Sequence, residues 1–575
     1  MNQISEKNLK GLFKFLSTFA PGKVFLSIVA GMLSGLAYSL VIPLIMMSIK
    51  ENDDLFISFE SAPSLYIGDF EITQPGFVAG FIALCLFILV SKIFSQAIFN
   101  TVVVSSLSQL RLFLTRRIAQ LPIQDLERIG EEKLLVTFTM DIPRIANGAA
   151  VFPQLLINLA SILGILGFLL VLDVDIFLLV VMFMLVGMLV YRIPLWMGHR
   201  YLAGSRNAYE HIQERFNGII RGAKELKLNR SKRESFIDQL GQRTEADYAR
   251  LQIKGTSMVI GANNFGNLLS LFAIGFITFA LSNYLNMSQE LLTATIMAVL
   301  YIAGPMNTLM NLITPMLVGR VSLKKINELL PQMPVERQNG SGAVRDFSRL
   351  RLCNIRHSYD NKDSFAVGPL DITLKAGQIT FITGGNGSGK STLSKIISGH
   401  YIATEGEIFY DRQHINDDNR DNARQYISAI YTDYHLFARL LDMTPEKEEI
   451  VNHYLKEFGM ADKVRIEDGA FSTIKLSDGQ RKRLALIVSY LEDRKVYLLD
   501  EWAADQDPAF REIFYMQILP ELKQRGKIVV VVSHDDKYFS QADQIIKMET
   551  GQLVYARTRE DDRNGSGGEK LASAG

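Results

Sequence analysis

The sequence predicts a six-span membrane α-helical domain fused to an α/β phosphate-loop domain. Three observations predict it. Nearly all long apolar runs lie before about Gly319, a Gly-rich loop Gly384–Ser391 follows a strand-like run, and the acidic pair Asp500-Glu501 ends another such run about a hundred residues later. At 575 residues the chain also exceeds what one core can organise, so at least two domains are expected.

A spanning helix needs about 20 mainly apolar residues. The stretches 23–49, 76–100, 148–172, 174–197, 256–282 and 290–318 meet that requirement. Lys7, Lys10 and Lys14 precede the first, whose apolar run from Val24 to Ile49 is too long for a signal peptide. Tight polar turns, Asp173-Val174-Asp175 and Ser282-Asn283-Tyr284, join spans three to four and five to six. The stretches 101–147 and 198–255 then become long helical connections on the opposite side. Their tips are expected at Leu121–Gly130 and Gly218–Leu228.

Charge orients the set. The stretch 198–255 carries Arg200, Arg206, Arg230, Lys232, Arg233 and Lys254. The loop 50–75 holds Glu51, Asp53, Asp54, Glu60, Asp69 and Glu71 against one Lys. Basic residues stay cytoplasmic, so both long connections and everything after the sixth span are expected inside. The net charge of +1 supplies no field for nucleic acid, and two cysteines, Cys85 and Cys353, build neither a disulfide framework nor a zinc site.

Beyond the spans the periodicity changes. Strand-length runs, Ile379–Ile382, Val496–Leu499 and Ile528–Val532, alternate with helical segments, the pattern of a largely parallel sheet. Expected boundaries are a membrane domain over 1–325, a linker over 326–344, a nucleotide-binding domain over 345–558 and a flexible tail over 559–575. The first strand runs into Gly384-Gly385-Asn386-Gly387-Ser388-Gly389-Lys390-Ser391, then a helix from Thr392. Such a loop wraps an anion with backbone N–H groups. Lys390 is placed for the β- and γ-phosphates of ATP, and Ser391 for Mg²⁺. Asp500, at a strand end beside that loop, suits a second Mg²⁺ contact. Glu501 is then placed to orient or deprotonate the attacking water, and His534 to polarise it.

Leu476-Ser477-Asp478-Gly479-Gln480 resembles the signature peptide of ABC ATPases, with Asp478 replacing the usual Gly. With the phosphate loop, Asp500-Glu501 and His534 in that order, the resemblance covers about 345–555. The six spans extend it to an ABC exporter type half-transporter. It implies a homodimer in which Ser477 and Gly479, with Gln480 beside them, meet the γ-phosphate held by the partner's loop. It also implies that Tyr359 stacks on adenine and that Asp507 keeps the acidic position of the inter-subunit loop. Thr432 stands where the family has Gln, and Asp433 is a candidate Mg²⁺-side replacement.

The string Asp500-Glu501-Trp502-Ala503-Ala504-Asp505-Gln506-Asp507-Pro508, with Glu225-Leu226-Lys227-Leu228-Asn229, is similar to the cyclic-peptide exporter group. That group includes microcin J25-type lasso-peptide efflux and pyoverdine- and syringomycin-type exporters. The resemblance implies a multi-pass protein of the bacterial inner membrane, moving a peptide or small-molecule cargo, with lipid or drug export and cargo-free mechanotransmission as alternatives. Asn263 with Asn267, and Asn307 with Asn311, each share a helix face and could serve cargo or interhelical hydrogen bonds. Met306 and Met310 lie in the same region.

Overall fold

The computed structural model describes residues 11–49, 65–67, 70–72, 75–238, 244–282, 287–336, 344–359, 365–440 and 443–559. Outside these fall Glu51, Asp53, Asp54, Glu60 and Asp69 of the acidic loop, the turn at Asn283-Tyr284, part of the linker and nearly all of the tail. The side chains of Arg206, Asn263 and Asn267 lie outside as well. The chain divides into two units, one from Met1–Leu114 and Glu132–Leu330, the other from Thr115–Glu131 and Pro331–Gly575.

Apart from the short paired strands Leu65–Ile67 and Phe70–Ile72, the described part of the first unit is helical. Among the described residues five helices are long and apolar enough to cross a membrane. The apolar window of Pro75–Ala119 has mean hydropathy 2.5, with none of it buried. Such a surface is stable only against lipid or another apolar face. The expected fifth span is helical through Ala246–Phe276 and Ile277–Leu281, but its apolar stretch is the shorter Ser270–Ala280. Asn263, Asn264 and Asn267 dilute the rest.

Local chemistry fixes the helix ends. Asp173 caps Val174–Arg221 by accepting from the N–H groups of Asp175 at 2.9 Å and Ile176 at 3.0 Å, as the polar turn predicted. Small residues bring helices together: a Cβ on Gly35 would meet the Ile157 carbonyl at 2.3 Å. The buried hydroxyls of Ser27 and Ser95 each donate to the other's carbonyl at 2.7 Å. Pro305 and Pro315 both lie inside the helix Gln289–Leu329.

Among the described residues the second unit holds two large sheets and a two-stranded one, Ile466–Glu467 with Ala470–Phe471. The larger has six strands, in order Gln552–Thr558, Gln544–Glu549, Gln378–Thr383, Ile528–Val532, Val496–Asp500 and Ile427–Ile430. All neighbours are parallel except the first pair. Val496–Asp500 and Ile528–Val532 are buried at every residue, which explains why they read as unbroken apolar runs. A second, antiparallel sheet of four strands, Ala366–Lys375, Arg349–Ser358, Glu405–Tyr410 and Gln413–Ile415, was not foreseen. The short helix Ile123–Ile129, at the expected tip of the first connection, groups with this unit, and Ile123 packs on its core.

Candidate functional site

The central position of Gln378–Thr383 in the larger sheet sets the site, because its C-terminal end opens into the Gly-rich loop. Gly389 sits at φ +98 as N-cap of the helix Lys390–Ile397. Only glycine takes that conformation without strain, and a Cβ there would also meet Val367 at 2.8 Å. Lys390 is buried, and its Nζ donates to the carbonyls of Gly384 at 2.8 Å and Gly385 at 2.9 Å. Burial lowers its pKa, opposed by Glu501 and Asp500. Asn386, Gly387 and Ser391 are exposed on the loop, whereas Ser388 Oγ is buried without a hydrogen-bond partner. Tyr359, just past the strand Arg349–Ser358, pairs its hydroxyl with Thr392 Oγ1 at 2.9 Å.

Two strands over, Val496–Asp500 delivers the acids. Asp500 is buried, and its pKa is pushed up to about 6 by burial first, then by Glu501 and Asp433, against the pull of Lys390. Asp433 is exposed, on the loop after Ile427–Ile430, yet is near enough to act on Asp500. Asp500 and the Ser391 hydroxyl offer hard oxygens, the donor chemistry of Mg²⁺, although among the described residues no three His, Cys, Asp or Glu side chains are grouped as a metal site. Because Mg²⁺ takes most of its ligands from phosphate and water, one or two protein oxygens are enough.

Glu501 sits at φ +48, a left-handed conformation that costs a non-glycine residue about 1–3 kcal/mol. Its N–H donates to the Val532 carbonyl at 3.1 Å. That turn brings Glu501 Oε1 to 3.5 Å from His534 Nε2, across the ends of adjacent strands. The fold therefore brings together Glu501 and His534, two side chains that the sequence singled out.

The signature peptide forms the start of the helix Asp478–Glu492. Ser477 and Gln480 make a reciprocal capping box. Gly479 packs so closely that a Cβ would meet the Asp505 carbonyl at 2.4 Å. Asp478 pairs with Arg481. Asp507 caps the helix Pro508–Ile513 through the Phe510 N–H at 2.9 Å and pairs with Arg483. The Phe510 N–H, then Arg483, holds its carboxyl below the usual range.

Lys482 was missed. It appears in the sequence only as the middle of Arg481-Lys482-Arg483, yet it is 2% exposed. Its Nζ donates to the Glu501 carbonyl at 2.9 Å and pairs with Asp505 Oδ2 at 2.7 Å. Trp502 Nε1 donates to the Lys482 carbonyl at 3.0 Å, and its ring stacks on Phe514 with centroids 4.4 Å apart. Trp502 is thus a core anchor for the turn after Glu501. A second unforeseen group joins Ser398, His400 and Tyr431, with His400 Nδ1 at 2.8 Å from Ser398 Oγ and 2.9 Å from the Tyr431 hydroxyl. Burial, then Arg424, lowers His400 to about 4.

Fold and site together define an ATP-binding and ATP-hydrolysing enzyme of the phosphate-loop class that carries its own membrane helices. Residues 367–504 match the ABC transporter family. The chain is 34% identical over 468 residues to the ATP-binding protein SyrD of Pseudomonas syringae pv. syringae, covering 78% of this chain and 82% of that one. It is 28% identical over 295 residues to an ATP-dependent lipid A-core flippase of Ralstonia nicotianae (48% of this chain, 49% of that one). It is 30% identical over 223 residues to the nisin transport ATP-binding protein NisT of Lactococcus lactis subsp. lactis (36% of each). The chain belongs to the ABC transporter family, as a membrane-embedded exporter in which ATP hydrolysis by a cytoplasmic domain is coupled to transport.

Proposed function

We propose that the protein is a homodimeric exporter that uses MgATP to move a cyclic or lasso-like peptide from the cytoplasm across a bacterial inner membrane. The observation that carries the enzymatic part is the pairing of Glu501 with His534 at 3.5 Å, in a strained turn beside the phosphate loop. Adenine stacks on Tyr359. Lys390 exchanges the Gly384 and Gly385 carbonyls for the β- and γ-phosphates. Backbone N–H groups from Gly384 through Gly389, and those of Ser391 and Thr392, cradle the phosphates. Ser391 and Asp500 would hold Mg²⁺, with Asp433 as a further candidate contact, and the ion would supply positive charge against the phosphate oxygens. Glu501 takes the proton of the attacking water, and His534 fixes the direction of that carboxylate.

The second subunit completes each site: the partner subunit's Ser477 and Gly479 bind the γ-phosphate. Those contacts exist only in the closed state, so they shift the equilibrium towards closure, and hydrolysis removes them. Peptide cargo is supported by the resemblance of the turn after Glu501 to cyclic-peptide exporters and by a relative named for nisin transport. In keeping with an apolar cargo surface, the membrane unit also holds a half-open, mostly apolar pocket. Phe183, Met184, Tyr191, Met306, Asn307 and Met310 line it. Methionine adapts its shape to varied apolar surfaces, and Asn307 offers an amide for a peptide backbone. Similarity to lipid A-core flippases favours a second reading, export of a lipid.

Transport by inverted membrane vesicles separates the two readings. Macrocyclic peptides should accumulate in the vesicles in an ATP-dependent way and stimulate ATPase activity. Stimulation by lipid A-like molecules with no peptide uptake would favour the flippase reading, and ATP turnover with no accumulation of either would refute export.

The raised pKa of Asp500 gives a pH signature. Because its folded value lies above the ordinary 3.8, protonation stabilises the nucleotide-free domain fully below that value, and the benefit is lost as pH rises through about 6. Mg²⁺ requires the ionised form. Mg²⁺-dependent ATP affinity should therefore fall about tenfold per pH unit below the transition. Asp500→Asn should weaken binding and flatten that slope, as measured by titration with a fluorescent ATP analogue.

A further inference from the structure

The helix Ile123–Ile129 lies in sequence between membrane spans but groups with the ATPase unit. Its Glu127 carboxylate is held twice. One oxygen accepts from Lys395 Nζ at 2.7 Å, and the other from the Tyr401 hydroxyl. Lys395 belongs to the helix Lys390–Ile397, which begins at the phosphate loop. Tyr401 is 3% exposed, with its ring stacked on His357 at 5.1 Å and 29°. The same ring meets Tyr359 edge-on at 6.1 Å and 82°. His357 Nδ1–H donates to the Ile402 carbonyl at 2.9 Å, while its Nε2 is buried without a hydrogen-bond partner. Lys395 Nζ also lies 5.1 Å over the Tyr401 ring.

We propose that Tyr401 and Glu127 are positioning residues that report a purine stacked on Tyr359 to the helix Ile123–Ile129. This rests on Tyr359 and Lys390 contacting the nucleotide, as proposed above. The three rings are close-packed, so a base seated against Tyr359 cannot turn that ring without repacking Tyr401. A tyrosine hydroxyl points along its ring axis, so tilting Tyr401 re-aims the bond to Glu127. That bond is charge-assisted and directional, hence the strong kind that a small tilt can make or break. Lys395 gives the phosphate end a second hold on the same carboxylate. Base and phosphate thus converge on one side chain of a helix whose chain continues into the membrane spans. Coupling requires that this shared element have two states that both ends bias, which proximity alone does not establish.

The test is hydrogen exchange of the segment 123–129 in the full chain in lipid nanodiscs, with Glu501→Gln as parent so that ATP stays bound. MgATP should slow exchange of this segment in the parent. Tyr401→Phe and Glu127→Gln, each in that parent, should bind ATP within about fivefold of it, as loss of a partly exposed ion pair allows. Both should lose about tenfold or more of the ATP-induced protection. Protection retained in both variants, no protection in an ATP-binding parent, or loss of ATP binding in both variants would each overturn the relay. A parent that fails to bind ATP would instead overturn the nucleotide-site reading beneath it.

Discussion

Replacing Glu501 by Gln should lower ATP turnover by about 10²–10⁴-fold, the contribution of a positioned general base. Nucleotide binding should survive. The amide keeps the size and hydrogen-bonding reach of the carboxylate, and the substitution removes a negative charge from beside Asp500 and Lys390. It cannot accept a proton from water. The backbone strain at φ +48 is untouched by a change at the end of the side chain, so the variant should fold as the parent does. Phosphate release per unit time, alongside filter retention of labelled ATP, checks both halves. Turnover within about twofold of wild type would remove Glu501 from the chemical step, since even modest base catalysis exceeds that.

Lys482→Met should produce the second-largest loss, although Lys482 lies outside the phosphate loop. The thioether fills the same volume but leaves the Glu501 carbonyl without its donor at 2.9 Å and Asp505 without its cation at 2.7 Å. An orphaned buried carbonyl costs about 1–3 kcal/mol. Asp505 is half exposed, so water recovers much of its share. The turn that aims Glu501 should loosen, and kcat should fall about ten- to a hundredfold, as that energy implies, with the KM for ATP nearly unchanged. Lys482→Arg should recover part of kcat, because a guanidinium can still reach both oxygens. A purely structural role would lower the melting temperature of both variants while leaving kcat per folded molecule intact.

What could be read in the sequence was local. The phosphate loop, the strand ends bearing Asp500 and His534, the Asp173 cap and the tip helix near Leu121–Gly130 each occupy one short segment with its own chemistry. What could not be read depends on distant partners. Tyr401 and Glu127 are 274 residues apart, and nothing around either residue announces the other. Lys482 carried no sign of its own in the sequence, because the helix orientation that buries it and leaves Asp478 out is decided by packing on Trp502. The fifth span illustrates the same limit: asparagines lower its hydropathy, yet the helix persists because its backbone is satisfied internally. Ser477 and Gln480, for which the family resemblance implies phosphate contact, form a reciprocal helix cap.

The two prolines in Gln289–Leu329 have a consequence for the cavity in the membrane unit. Each removes one intrahelical hydrogen bond, releasing the carbonyls of Tyr301 and Asn311. Met306, Asn307 and Met310, all lining residues, fall in the stretch bounded by Pro305 and Pro315. Part of the wall of that chamber is therefore a short rod pinned between two weakened joints. Flexing at either joint reshapes the chamber directly, and whatever fills the chamber resists that flexing.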